Sequence, residues 1–153
     1  SYAPYSNFNV GAAVLLEDGS IVKGANQENA AYPSGLCAER TALFAAGANH
    51  PDKAPISLAI VASQNGVVCP YPASPCGACR QVMAQCQTRY GRDLKVILAG
   101  SECLIKFEKV DDLLPFIFDN ICLSRWYREY PAICFLNRAS LRPLNTRPQT
   151  VLR

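Results

Sequence analysis

Two short segments constrain this chain more than anything else in it. Cys37-Ala38-Glu39 and Pro75-Cys76-Gly77-Ala78-Cys79 each stand at the head of a segment that reads as a helix. Cys76 and Cys79 are three apart, so their sulfurs share one face of a first helical turn. A helix start carries partial positive charge and unpaired N–H groups, both of which favour thiolates. In an open α/β sheet, such helix starts gather at the carboxyl ends of the strands. If these two starts meet, three sulfurs meet. Three thiolates at about 2.3 Å from one centre is a zinc geometry, and its fourth position stays open for a catalytic water.

The rest of the chain supplies the units such a meeting needs. Residues 9–16 are apolar almost throughout and read as a strand covered on both faces. Glu17-Asp18-Gly19-Ser20 is a turn into a second strand at 21–25, because Asp-Gly suits a tight hairpin. A polar loop at 26–35 leads to a helix over 37–48, closed by Gly47 and Asn49. Residues 56–63 form a third strand and 65–74 a loop. Pro75 is placed to open a second helix, which runs from Cys76 to about Tyr90 and stops at Gly91. Strands at 94–99 and 104–107 and a short helix at 110–114 follow.

The expected fold class is therefore α/β. It is a three-layer α/β/α sandwich around a mixed five-stranded sheet, with helix-bearing crossovers joining parallel neighbours. Four residues separate the last two strands, too few for a parallel crossover, so strand 5 runs antiparallel to strand 4. Residues 1–120 form one catalytic domain, and 121–153 form a basic extension whose structure the sequence leaves open.

Composition removes several function classes. The 153 residues, half of them hydrophobic, suffice for one domain with its own core. No apolar run approaches the ~18 residues of a membrane span. No basic segment followed by an apolar one marks a signal peptide. Residues 1–120 hold nine Lys and Arg against eleven Asp and Glu, a balance of −2, which disfavours a groove tracking nucleic-acid phosphates. The tail after residue 120 carries +5 and is the only segment that raises that question. It reads either as a basic segment for RNA or an acidic partner, or as an extension without a fold of its own, which its composition favours. Eight cysteines make an even count, but the length and the apolar core argue for a reducing compartment rather than a disulfide scaffold.

Three thiolates leave zinc with a formal charge of −1, which weakens it as a Lewis acid. Arg40, beside Glu39, is the cation placed to correct that, and Arg80 is a second candidate. Glu39 is two positions beyond Cys37, so it serves as a proton carrier rather than a ligand. A lone Cys-x-x-Cys is as often a redox pair or half a zinc ribbon. A redox pair has no use for Cys37 and Glu39, and a ribbon needs four ligands. The other cysteines, 69, 86, 103, 122 and 134, read as small apolar residues.

Joined with Ala3-Pro4-Tyr5-Ser6-Asn7-Phe8-Asn9-Val10-Gly11-Ala12-Ala13, Asn26-Gln27-Glu28-Asn29-Ala30, Cys37-Ala38-Glu39-Arg40-Thr41-Ala42 and Ser74-Pro75-Cys76-Gly77-Ala78-Cys79-Arg80-Gln81-Val82, the pattern resembles the zinc-dependent nucleoside deaminases. It is most similar to the free-nucleoside cytidine deaminases in their small homotetrameric form, over residues 1 to about 118. The resemblance implies hydrolysis of cytidine and deoxycytidine to uridine and deoxyuridine, in pyrimidine salvage, in the cytoplasm. It implies Cys37, Cys76 and Cys79 as Zn²⁺ ligands, with Arg40 donating to the sulfurs. Glu39 carries a proton from the attacking water to N3 and then to the leaving amine. Asn26 and Glu28 hold the ribose hydroxyls, the Ala38 backbone reads the pyrimidine edge, and Phe8 walls the base. Tyr32 and Phe118 reach a neighbouring subunit's pocket in a homotetramer with shared active sites. From residue type alone, Asn26 and Glu28 serve equally to order a turn, and Phe8 and Phe118 to fill a core.

Family members begin with a helix ahead of the Ala-Pro-Tyr segment, which is not seen before Ser1. Two other enzymes share the zinc chemistry: deaminases of cytosine or adenine in nucleic acid, and deaminases of aminonucleoside antibiotics. Polynucleotide deaminases resemble one another in placing a helix before strand 5, and here the link is too short for one. A non-catalytic zinc-stabilised interaction protein has no use for Glu39 beside an open position.

Overall fold

The computed structural model describes residues 1–119. The expectations for 121–153 lie outside the described residues. The elements in chain order are β1 (Phe8–Leu16), β2 (Ile21–Ala25), α1 (Ala38–Asn49), β3 (Pro55–Gln64), β4 (Val67–Val68), α2 (Gly77–Tyr90), β5 (Lys95–Ala99) and β6 (Leu104–Phe107). Single 3-10 turns stand at Tyr32–Ser34 and Val110–Asp112, the second of them in place of the expected short helix.

The sheet is mixed, with the order β2-β1-β3-β5-β6 and β4 hairpinned onto β3. β5 lies parallel to β3, joined through α2, and β6 runs antiparallel to β5, as the four-residue link required. The first crossover departs from the expectation. β2 and β3 run in one direction but are not neighbours, because β1 lies between them and is antiparallel to both. The reason is burial. β1 is apolar almost throughout and gains from pairing both its edges, whereas β2 carries Lys23 and tolerates the sheet edge.

The short β4 was also unforeseen in a segment read as loop. Asn65 and Gly66 both have positive φ, 51° and 81°, the backbone of a tight hairpin turn. Asn-Gly was the legible signal for it.

One face of the sheet makes the core. Ala12, Val14 and Leu16 of β1, Leu58 and Ile60 of β3, and Val96 and Leu98 of β5 are all buried. The register sets Val14 beside Leu58 and Leu58 beside Val96, so these residues share one face. Ala38, Ala42, Leu43 and Ala46 of α1 and Cys79, Met83 and Ala84 of α2 close the same cluster. Fully burying a Leu-sized side chain is worth about 1.5–3 kcal/mol, so this layer carries most of the packing energy. The sheet and this one helical layer are two layers of the expected sandwich among the described residues.

Two glycines set the height of the helix starts. A Cβ on Gly24 would stand 2.4 Å from the Ala42 backbone nitrogen, so α1 rests directly on β2 only because Gly24 has no side chain. A Cβ on Gly100 would stand 2.3 Å from the Pro70 carbonyl oxygen. That approach lets Ser101 N–H donate to the Cys69 carbonyl and Glu102 N–H to Pro70. The loop leading to Pro75 and Cys76 is thereby stitched to the end of β5. Gly47, expected to close α1, instead lies inside it, and His50 caps the helix.

Candidate active site

Cys37 and Cys76 are the N-cap residues of α1 and α2, each with extended backbone and no side-chain cap bond. Their thiols are therefore free to turn toward each other rather than cap their own helices. Pro75 stands just before the cap, fully buried, rather than in the first helical turn. Cys79, one turn into α2, is also fully buried. The Sγ atoms of Cys37 and Cys76 are 3.8 Å apart, and those of Cys76 and Cys79 are 3.5 Å apart. All three lie within 4.8 Å of one another. Tetrahedral zinc with bonds of about 2.3 Å sets its sulfurs about 3.8 Å apart. The three thiols fit that ion in both chemistry and spacing.

The electrostatics agree with that fit. Burial opposes the Cys76 thiolate, but backbone N–H groups at Cys79 and Ala78 and the neighbouring thiols outweigh it and hold its pKa below the ordinary thiol value. Cys79 goes the other way. Burial pushes its thiol well up, and the Glu39 carboxylate and the other two sulfurs push it further. A thiol in that position ionises only with a cation beside it.

Arg40 supplies one fixed positive charge. Its guanidinium donates to Cys37 Sγ at 3.8 Å, and its own pKa is raised, first by that bond and then, against the cost of burial, by the Cys37 and Cys79 charges. Its buried Nε has no hydrogen-bond partner among the described residues. Arg80, the second candidate, is committed elsewhere: Nε donates to the Pro75 carbonyl and a terminal nitrogen to the Leu113 carbonyl.

Glu39 is 5% exposed and is the one buried charged side chain among the described residues. A carboxyl group is expensive to bury, so one placed beside three thiols has a chemical use more readily than a structural one. It lines a cavity of about 650 Å³.

That cavity gathers most of the residues singled out in the sequence. Phe8, Asn26, Glu28, Tyr32, Cys37, Ala38, Glu39, Arg40 and Cys76 all line it. Cys79 lies buried behind the lining. Phe118 does not line it: its backbone bonds in both directions to the Gln81 side chain amide on α2, and its ring is 78% exposed. Tyr32 is 77% exposed and meets Tyr5 edge-on, with ring centroids 6.1 Å apart, at the rim of this chain's own cavity.

Asn26 and Glu28 do order the chain, as their residue types allowed. Asn26 Oδ1 accepts from Val10 N–H at 2.8 Å, and its Nδ2 donates to the Phe8 carbonyl at 2.9 Å. Glu28 accepts from Tyr5 N–H at 2.8 Å. Both nevertheless face the cavity.

Among the lining residues that sequence reasoning missed are Tyr5, Ser6, Val10, Ile60, Ala73 and Ser74. Tyr5 and Ser6 belonged to the quoted Ala-Pro-Tyr-Ser segment, which was the available signal. Ile60 gave none, since a mid-strand Ile reads as core.

Comparison with known proteins agrees with this geometry. Residues 1–90 match the family model described as the cytidine and deoxycytidylate deaminase zinc-binding region. A cytidine deaminase of Halalkalibacterium halodurans is 45% identical over 119 residues, covering 77% of this chain and 83% of that one. One of Mycobacterium tuberculosis is 37% identical over 122 residues, covering 77% and 78%. Among solved structures, the cytidine deaminase from Burkholderia pseudomallei matches with a TM-score of 0.62 and 41% identity, covering 76% of this chain and 87% of that one. With three convergent thiols, a buried glutamate beside them and a matching zinc-binding region over most of the catalytic fold, the chain belongs to the cytidine and deoxycytidylate deaminase family.

Proposed function

We propose that this chain catalyses the zinc-dependent hydrolytic deamination of cytidine and deoxycytidine, giving uridine or deoxyuridine and ammonia. The observation that carries the proposal is a buried Glu39 carboxylate beside a three-thiol cluster on the wall of a cavity. Cys37, Cys76 and Cys79 are the ligands in this reading, and their spacing supports it. A zinc ion held there supplies Lewis acidity and lowers the pKa of water to about 7.

The protein's own groups do the rest. The pyrimidine lies against Phe8 with its polar edge toward the free N–H groups of the first α1 turn at Ala38. Water adds to C4 of the ring. Glu39 takes its proton and delivers it to N3, because a neutral amidine is a poor electrophile. Glu39 then carries the second proton to the amine, and the C4–N bond breaks as ammonia leaves. Burial keeps competing water from Glu39 and strengthens each of its interactions. Arg40 offsets the negative charge gathered on the sulfurs. Asn26 and Glu28 take the sugar hydroxyls at the opposite end.

The reading extends to a homotetramer in which Tyr32 and Phe118 enter a neighbour's pocket, and the high exposure of both rings supports it. It also extends to pyrimidine salvage in the cytoplasm. No helix among the described residues is long and apolar enough to cross a membrane. The test is incubation with cytidine, following the ultraviolet change to uridine, with and without a zinc chelator. Turnover that a chelator abolishes and added zinc restores is the expected result. A protein with full zinc and no turnover on cytidine or deoxycytidine would remove the proposal.

A further inference from the structure

Ser6 carries two bonds that join the ends of the sugar-side wall. Its hydroxyl donates to Glu28 Oε1 at 2.5 Å and accepts from Phe8 N–H at 3.0 Å. Glu28 Oε2 meanwhile accepts from Tyr5 N–H at 2.8 Å and Ser6 N–H at 3.3 Å. No ion pair to Glu28 is found among the described residues, so donors from one tight turn hold its charge. Its carboxyl pKa lies below the usual value, chiefly through the Ser6 hydroxyl and then Tyr5 N–H, against a smaller opposing effect of burial.

A carboxylate offers about four acceptor positions. Three are taken by Tyr5 and Ser6, which leaves one. Asn26 is similarly committed. One amide N–H holds the Phe8 carbonyl and its oxygen holds Val10 N–H, so one donor remains free. One free acceptor and one free donor, both on the cavity wall, suit a single hydroxyl that donates to Glu28 and accepts from Asn26, and the sugar 3′-OH, common to cytidine and deoxycytidine, is the hydroxyl assigned to them.

We propose that Ser6 is a positioning residue for sugar recognition: its hydroxyl fixes Glu28 so that one acceptor is presented to one sugar hydroxyl, and ties that placement to Phe8. This rests on the reading that Glu28 takes a sugar hydroxyl. Ser6 acts through Glu28, so its loss weakens recognition of the hydroxyl and spares the chemistry at C4.

The test is steady-state kinetics of full-length Ser6→Ala, Ser6→Cys, Ser6→Thr and Glu28→Gln on cytidine and 3′-deoxycytidine. Ser6→Ala is expected to raise KM for cytidine about tenfold. Its kcat stays within about twofold, and KM for 3′-deoxycytidine hardly moves, so the preference between the two substrates shrinks. Ser6→Thr keeps a hydroxyl and restores the preference. Ser6→Cys, nearly the same size but a poor donor, behaves like Ser6→Ala and serves if that variant does not fold.

A KM rise of equal size on both substrates, or no change, overturns the role of Ser6. If Glu28→Gln leaves the preference intact, the reading of Glu28 falls, and the Ser6 proposal falls with it. A preference that shrinks in Glu28→Gln but not in the Ser6 variants removes the Ser6 proposal alone.

Discussion

At the thiol end of the cavity, three side chains converge because two helices begin there. Elsewhere on the cavity wall, Phe8, Asn26 and Glu28 converge because the chain crosses itself. The segment before β1 runs beside the loop after β2, with Tyr2 N–H on the Asn26 carbonyl and Glu28 N–H on the Tyr2 carbonyl. The thiol end rests on packed core: Cys79 and Ala38 are fully buried and Glu39 nearly so, while Cys37 is half-buried and Cys76 exposed. The crossing is held by hydrogen bonds on exposed or half-buried backbone. The difference teaches where each can fail. The helix starts hold their thiols in place but need a cation to balance their charge. The crossing needs none, and depends on each amide and hydroxyl finding its one partner.

The comparison breaks most visibly at the thiols. Cys79→Ser is expected to abolish both stoichiometric zinc, read by metal analysis, and cytidine turnover. Retention of full zinc would mean that the buried thiol is not a ligand. Glu39→Ala separates chemistry from metal at the same end. Zinc content is unchanged, and turnover falls by roughly 10²–10⁴ or more, the scale of a lost acid–base group. Turnover near that of the wild type would dismiss Glu39 as the proton carrier.

Asn26→Ala tests the other end. It leaves Val10 N–H and the Phe8 carbonyl without their partner, at a cost of about 1–3 kcal/mol. Thermal or denaturant unfolding should show that loss while the protein still takes up zinc. A variant as stable as the wild type would show that the crossing holds without this clamp.

The smallest effect belongs to neither end and sets a baseline. Asp18 accepts from Ser20 N–H at 3.0 Å and the Ser20 hydroxyl at 2.6 Å in the turn between β1 and β2. Those bonds lower its carboxyl pKa from 3.8 to about 2. A lowered folded-state pKa stabilises above the unfolded value and loses that contribution as pH falls through the folded one. Asp18→Ala should therefore be slightly less stable than the wild type at pH 7. The gap should close as pH falls from 3.8 toward 2, in denaturant titrations at each pH. A gap unchanged over that range would show that the turn draws nothing from the ionised carboxylate.

Much of the thiol end was legible because its information is local. Helix starts follow from Pro, Gly and periodicity, and a three-residue spacing puts Cys76 and Cys79 on one face whatever the rest of the chain does. The antiparallel β6 was legible for the same reason, since a four-residue link permits little else. The place of β1 between β2 and β3 was not, because strand order is a contest among long-range pairings that no local pattern records. Nor were the two edges of Asn26: an Asn in a polar loop looks the same whether it staples β1 or faces water.

The sequence by itself determined the metal chemistry, the glutamate placed beside it and the helical frame that carries them, since each depends on residue type and short spacing. Only the tertiary structure decided which arginine serves the sulfurs, Arg40 rather than Arg80, and how Ser6 and Tyr5 come to hold Glu28. Those choices depend on distances across residues far apart in the chain. Packing sets such distances, through close approaches such as Gly24 on α1 and Gly100 on the Pro70 loop.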